Sequence, residues 1–305
     1  MEDGYDDARV TRVLSQPLRV VGRPNSLGRG AWYSIIEILG RRELIGRLVS
    51  REVRSRYKNS SLGIVWSLFR PLAQLLIYYV AVGQFLGAAR SIPDFAIFVF
   101  TGLTIWGLYN EIVSSGTNSI INNAGLVKKV YLPREIFPLA SVGSAVFNFL
   151  IQFGILLVAT IVLGKAPVHV QFLYVLLSVA LVLVLGTAIA LLLSGINVYL
   201  RDVQHVVEIA LIILFWASPI VYSVGSVHGV LNGSWLEEAY LANPVTLAVL
   251  GMQKGMWMSG ANDPAQYWPA LLWVRMLIAL AASGVLLWIA QRVFSRLQSN
   301  FAQEL

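Results

Sequence analysis

Clustered cations are the first side chains in this sequence whose types and spacing suit a binding chemistry. Five of them precede or enter the first long apolar stretch: Arg51, Arg54, Arg56, Lys58 and Arg70. Guanidinium and ammonium groups at a membrane surface attract phosphate and other anionic headgroups. We therefore expect these residues to form a lipid-headgroup site or lateral gate for a charged lipid substrate. A plain membrane-surface anchor is the alternative interpretation.

Aromatic side chains within the apolar stretches are the second candidate binding chemistry. Flat rings stack on sugar faces, and the polar atoms of Tyr and Trp find hydrogen-bond partners. On this basis we expect a path for a glycan lined by Tyr78, Tyr79, Trp106, Tyr109, Phe215, Trp216 and Tyr222. Trp and Tyr also form belts at membrane interfaces, so belt or core positions remain an open alternative for each ring.

Residues for bond-making chemistry are missing from the sequence. It contains no G-x-x-x-x-G-K-[ST], D-x-D, H-E-x-x-H or G-x-S-x-G pattern, so we predict no catalytic residue and no ATP hydrolysis by this chain alone. Cysteine is absent and the three histidines are far apart, which predicts no metal site. Glu111 and Glu208 are expected near cytoplasmic ends of spans, which disfavours a proton-coupled carrier.

Hydropathy shows which elements must position these residues. The chain of 305 residues is 57% hydrophobic and only 13% charged, whereas about a quarter of a soluble domain is charged. Each of six apolar stretches is close to the length that a membrane-spanning helix needs. They are Leu72–Ala89, Phe95–Val113, Val142–Leu163, Phe172–Leu193, Val206–Tyr222 and Leu271–Ala290. The predicted fold class is an all-α membrane protein with six transmembrane helices.

Charge gives the predicted orientation. Of the 23 lysines and arginines, nineteen fall on the side that holds both termini and four on the other. The positive-inside rule therefore places both termini in the cytoplasm. The net charge of +7 is explained mainly by this topology, which makes nucleic acid a poor candidate partner.

Four segments outside the spans are predicted to be organised, whereas residues 1–33 are too polar to fold and are expected to be a disordered cytoplasmic tail. Residues 197–203 predict a tight cytoplasmic turn in which Asp202 can cap the following helix. Residues 34–58 have the pattern of a basic amphipathic helix at the membrane interface. Residues 119–138 predict a short cytoplasmic helix that stops before Pro133, either a docking surface or an ordinary connection. The external residues 223–270 include an apolar run, Val245–Met252, which is too short to span and predicts re-entrant half-helices.

Several motifs together resemble the ABC-2 family, the permease subunits of bacterial polysaccharide ABC exporters. The resemblance begins with R-Y-K-N-S-S-L-G-I-V-W at Arg56–Trp66 and R-P-L at Arg70–Leu72. It continues with G-L-V-K-K-V-Y-L-P-R-E from Gly125 and N-V-Y-L-R-D-V from Asn197. S-P-I-V-Y from Ser218 and the Asn243-Pro244 pair complete it. The similarity runs from about Glu43 to the end of the sequence, so that residues 34–305 would be one membrane domain.

This resemblance implies a homodimeric channel with a separate P-loop nucleotide-binding subunit, which would carry ATP and Mg²⁺. A cytoplasmic coupling helix would dock that subunit through Gly125, Leu126, Lys128, Lys129, Tyr131, Pro133 and Arg134. The implied substrate is a lipid-linked polysaccharide, exported across the bacterial inner membrane. The acidic-then-basic start of the chain favours cell-wall galactan. A membrane-embedded glycosyl- or acyltransferase and a non-transporting scaffold subunit are the alternatives from other classes.

Overall fold

The computed structural model describes residues 42–57, 65–129, 132–167 and 169–305, and every regular element in those ranges is helical. The α-helices are α1 (Arg42–Tyr57), α2 (Val65–Tyr78), α3 (Phe95–Asn122), α4 (Ala124–Lys129), α5 (Ile136–Val162), α6 (Leu173–Tyr199), α7 (Val203–Trp216), α8 (Val224–Leu231), α9 (Trp235–Leu241), α10 (Pro244–Met256), α11 (Met258–Ala261), α12 (Leu272–Leu297) and α13 (Phe301–Glu304). A π-helical turn, Tyr79–Phe85, continues α2. The predicted tail, residues 34–41 and Lys58 lie outside the described residues.

Four helical segments are long and apolar enough to cross a membrane. They are α3, α5, α6 with the 3-10 turn before it, and α12 with the turn after it, each 27 to 30 residues long. About 20 apolar residues suffice for the hydrocarbon core. The predicted second, third, fourth and sixth spans therefore coincide with observed helices.

The predicted first and fifth spans differ from the observed helices in their bounds. The fourteen residues of α2 and the seven of its π-helical turn end at Phe85, not at Ala89. The fifth stretch was expected to reach Tyr222, but α7 ends at Trp216. Pro219 explains this end, because its ring disfavours helical geometry in the residue before it. Both helices fall below the length of the four long segments, so the count of six spans stays a prediction.

The core is built around α3, which packs against α5, α6 and α10, while α6 also packs against α12. Two glycines allow α3 and α6 to approach closely. A Cβ at Gly116 would overlap the side chain of Ala190, and one at Gly186 would overlap Ile112. Small residues at such contacts are how membrane helices gain close packing.

Helix α10 begins at a sequence signal and lies inside the bundle. The side chain of Asn243 accepts a hydrogen bond from the amide of Val245, and Pro244 occupies the first turn, where its missing N–H costs nothing. The helix is buried nearly throughout and packs against α3, α6 and α12. The predicted half-helix run Val245–Met252 lies within it, and the side chain of Gln253 donates to the carbonyl of Pro219 at 2.8 Å.

Candidate docking and translocation sites

The predicted coupling segment contains the short helix α4. Gly125, Lys128 and Lys129 are exposed, Leu126 is half-buried and Val127 is buried. One face of α4 is thus held by the protein, and the other presents two ammonium groups to solvent. Tyr131 lies outside the described residues, so its predicted docking role is not addressed by the structure.

Residues 132–135, directly before α5, contact the end of α12 and α13. Pro133 is buried, and the guanidinium of Arg134 lies 5.7 Å from the ring centroid of Phe301. Glu135 is fully buried and accepts hydrogen bonds from the side-chain amides of Gln291 and Gln298 at 3.3 and 3.4 Å. Residues 132–135 are therefore packed against the bundle rather than forming an exposed loop.

Helix α1 lies within the range predicted as a basic amphipathic interface helix, and its apolar face packs on α5. Leu48 is buried against a small cluster that includes Ile136 and Ala140 of α5. On the polar side, Arg51 donates a hydrogen bond to the side-chain oxygen of Asn123, directly before α4. Helix α1 thereby contacts both the residue before α4 and the first turns of α5.

The other predicted headgroup cations that the structure describes lie at two separate grooves, one along α1 and one along α2. Arg54 is exposed and lines an open groove along α1 together with Arg51. Arg70 is exposed on α2 and lines another groove with Phe69 and Gln74. Arg56 belongs to the last turn of α1, but its side chain and Lys58 lie outside the described part of the chain.

Five of the seven predicted glycan-path rings form one contiguous cluster. Phe215 is at its centre, with centroid distances of 5.8 Å to Tyr78, 5.5 Å to Trp106 and 5.4 Å to Trp216. Trp106 in turn lies 5.7 Å from Tyr109. Trp106, Tyr109 and Phe215 are buried, whereas Trp216 is 55% exposed. The cluster therefore joins the interior of the subunit to its surface.

The other two rings lie apart from this cluster of ring contacts. Tyr79 is 38% exposed and lines a cavity of about 440 Å³ with Gln84, Arg90 and Asp94. The hydroxyl of Tyr222 donates to the carbonyl of Trp216 at 2.7 Å and lies 3.3 Å from the hydroxyl of Tyr240. Tyr222 thus closes the turn after α7, and Tyr79 is the ring with polar neighbours at an open cavity.

A polar contact inside the long helices was missed by the sequence reasoning. Glu111 was expected near the end of a span that stops at Val113, but α3 continues to Asn122 because the polar residues after Val113 stay helical. The carboxylate of Glu111 accepts a hydrogen bond from Asn148 at 2.7 Å, in the middle of α5. The expectation that acids lie only near span ends was therefore wrong for Glu111. The i to i+4 spacing of Ser144, Asn148 and Gln152 on α5 was the available signal.

The segment after α7 contains a buried carboxylate with three donors. The imidazole Nδ1–H of His228 donates to Glu237 at 2.9 Å, the hydroxyl of Tyr267 at 3.2 Å and the amide of Gly233 at 2.8 Å. The imidazole also stacks on the Tyr267 ring at 3.9 Å. The hydrogen bond from His228 is the main cause that holds the pKa of Glu237 below its ordinary value.

Comparison with known proteins gives one family match. The family model described as "ABC-2 type transporter" matches residues 43–257. That range contains the α1 cations, the α4 segment and all seven rings. It covers well over half of the chain, from α1 through α10, so the match does not rest on a single motif.

Curated relatives align with much of this chain, and the O-antigen permeases do so over nearly their entire length. An "O-antigen export system permease protein RfbA" from Myxococcus xanthus is 29% identical over 271 residues, which cover 88% of this chain and 98% of that protein. A protein of the same description from Klebsiella pneumoniae is 25% identical, with 86% and 94% covered. A "Polysialic acid transport protein KpsM" from Escherichia coli is 25% identical, with 59% and 70% covered.

Proposed function

Because the chain belongs to the ABC-2 type transporter family, we propose that it is the channel-forming permease subunit of an ATP-driven exporter of a lipid-linked polysaccharide. Export would run from the cytoplasm to the outer face of the bacterial inner membrane. The observation that carries the proposal is the alignment over 98% and 94% of two O-antigen export permeases. A whole-length match includes the spans, the cytoplasmic segment and the external region together.

The energy source would be a partner subunit. No P-loop sequence occurs in the 305 residues, and a Walker loop is the usual cradle for ATP phosphates. The exposed ammonium groups of Lys128 and Lys129 on α4 offer a docking surface to such a P-loop subunit, on which ATP and Mg²⁺ would bind. The buried Val127 keeps α4 on the bundle while its other face remains free to bind.

The proposed membrane arrangement has six spans, with both termini in the cytoplasm. Four of these spans would be the long segments. The other two would be shorter: α2 with its π-helical turn, and α7. Helix α7 presents an apolar face in which Val206, Ile209, Ile213 and Trp216 are more than half exposed. Such a face requires lipid or another apolar protein surface, and a second copy of this chain in a homodimer would supply one. The short helices α8 to α10 would be re-entrant from the outer side.

The substrate chemistry fits a glycan attached to a charged lipid. The groove along α1, with Arg51 and Arg54, would meet an anionic headgroup at the cytoplasmic surface. The ring cluster around Phe215 and the polar cavity at Tyr79 would contact sugars during passage. Cell-wall galactan remains the polymer favoured by the start of the sequence, while the relatives are described for O-antigen and polysialic acid.

A charge-reversal experiment tests this proposal. The double variant Lys128→Glu and Lys129→Glu should weaken co-purification of the P-loop partner by about tenfold or more, because two docking charges become repulsive. Export of the polymer should fall with it. The matched control, Arg201→Glu and Arg296→Glu, reverses two other exposed cations and should bind normally.

The contradicting outcomes differ for each part of the proposal. Normal partner binding and export by the α4 variant would remove the docking role of α4. Chemical modification of a lipid-linked glycan by the purified chain without ATP would instead favour the transferase alternative.

A further inference from the structure

The last described helix, α13, is anchored by one buried ring at a junction of several helices. Phe301 is fully buried. Its ring centroid lies 5.6 Å from that of Phe294 on α12 and 6.1 Å from that of Tyr199 at the end of α6. The ring therefore joins the ends of two long helices.

The same junction includes the coupling segment. Phe301 belongs to the apolar cluster that contains Val127 of α4 and Ile120 of α3. Helix α13 packs directly against α4 and α6. From the other side, the guanidinium of Arg134 lies 5.7 Å from the ring centroid of Phe301, at a distance typical of cation–π contacts.

Hydrogen bonds fix the chain on either side of this ring. The hydroxyl of Tyr199 donates to the carbonyl of Leu297 at 2.7 Å. Gln298 donates to the buried carboxylate of Glu135 at 3.4 Å, directly after Arg134. The turn that leads into α13 is thus tied both to α6 and to the start of α5.

A six-residue helix is too short to hold its own position, because isolated helices below about 12 residues are marginal even in favourable sequences. Helix α4 contributes little buried surface of its own apart from Val127. Its orientation must therefore come from the surfaces packed against it. In the described part of the chain, these include α13 and the end of α3.

We propose that α13, through the buried ring of Phe301, positions the docking helix α4 and passes its displacement to α6 and α12. This inference rests on the proposed docking role of α4. Phe301 acts here as a positioning residue, since it is buried away from any partner. A displacement of α4 would be transmitted by Phe301 to α12 through Phe294 and to α6 through Tyr199.

A distance measurement without any partner tests the positioning itself. The sequence has no cysteine, so spin labels at Lys129→Cys and Arg201→Cys report the separation of α4 from the end of α6 without background. Phe301→Ala should broaden that distance distribution, because the cavity frees α4. Phe301→Leu, which restores apolar volume, should narrow it again.

Trp288→Ala is the matched control for the loss of a ring. Like Phe301, Trp288 has a guanidinium over its ring, that of Arg292 at 4.8 Å from the centroid. It lies on α12, however, and is 55% exposed. This variant should leave the distribution as in the unaltered chain. Equal broadening in both variants would reflect general loosening and would overturn the proposal, as would a Phe301→Ala distribution identical to that of the unaltered chain.

A second measurement asks whether positioning affects coupling. In the complex with its ATPase, Phe301→Ala should lower the polymer exported per ATP hydrolysed by about tenfold, equivalent to about 1.4 kcal/mol, while Trp288→Ala should not.

If Phe301→Ala is not recovered folded, Tyr199→Phe replaces it and should give a smaller loss, about threefold, for one hydrogen bond. Unchanged distances and coupling in that variant would overturn the proposal. Failure of the unaltered chain to bind an ATPase would contradict the proposed function, and the partner-free distances would still decide the role of α13.

Discussion

At the scale of single residues, Glu237 is the side chain whose environment is most completely determined. Its carboxylate is buried and accepts hydrogen bonds from His228, Tyr267 and Gly233. A carboxylate with several donors is stabilised in its charged form, which agrees with the lowered pKa. The sequence did not reveal this group, because the partners are 9 and 30 residues away and share no motif.

The stability of helices α8 and α9 should therefore depend on pH. The folded-state pKa of Glu237 lies below its unfolded value of 4.5, so the stabilisation is fully present above that pH. It is lost as the pH falls through the lower folded-state pKa. The protection factors of the α8 and α9 amides, which correct for the pH dependence of intrinsic hydrogen exchange, should fall in that acidic range in the unaltered chain.

The Glu237→Gln variant checks the assignment of that acidic transition. Its protection factors for α8 and α9 should be lower than normal at neutral pH and nearly independent of pH below 5, since a neutral amide side chain has no proton to gain. The exposed Glu208 on α7 provides the control, because Glu208→Gln should keep the normal profile. An acidic transition that survives Glu237→Gln would assign it to another group.

At the scale of elements, α3 and α6 approach each other closely at two glycines. Gly116 faces Ala190 with no room for a Cβ, whereas Gly154 on α5 has nothing within 4 Å of the position that a Cβ would take. Both glycines are in helices of similar length. Substitution by alanine should therefore create a steric clash at Gly116 and none at Gly154.

The Gly116→Ala variant should be destabilised by about 1 to 3 kcal/mol, because overpacking forces the two helices apart. Gly154→Ala should be neutral or slightly stabilising, since alanine is the better helix former. Both effects are measured by heating the detergent-solubilised protein and quantifying the fraction that stays monodisperse at each temperature. Equal melting temperatures for the two variants would show that α3 and α6 are not in the close contact described.

The long elements could be predicted from sequence, whereas their contacts could not. Apolar length alone placed α3, α5, α6 and α12, because membrane spanning needs a continuous run of apolar residues. The end of α7 was missed because a hydropathy stretch does not stop at Pro219. The Phe215 ring cluster joins residues of α2, α3 and α7, so each ring was a candidate but the contacts between these helices were not predictable.

At the scale of the whole molecule, the described helices agree with a bundle whose cationic end carries α1 and α4. The uneven distribution of lysine and arginine, nineteen against four, predicts that this end faces the cytoplasm. The exposed Gly125 on α4 and the exposed Asn232 after α8 should therefore be on opposite sides of the membrane.

Single cysteines report this topology directly, because the chain has none of its own. A membrane-impermeant thiol reagent should label Asn232→Cys in intact cells and leave Gly125→Cys unlabelled. Permeabilised cells provide the control, in which both positions should react. Labelling of Gly125→Cys in intact cells, with Asn232→Cys protected, would reverse the orientation.

Transport by the purified complex tests the central claim most directly. The chain and its P-loop partner are reconstituted together in vesicles containing the lipid-linked polysaccharide, and the polymer that becomes accessible on the opposite face is quantified. We expect accessibility to rise only with both proteins and hydrolysable ATP, and to stay at background with the chain alone or with the Lys128→Glu and Lys129→Glu variant. Transfer of the polymer by the chain alone without ATP, or its absence in the complete and ATP-hydrolysing complex, would contradict the assignment of this chain as an export permease.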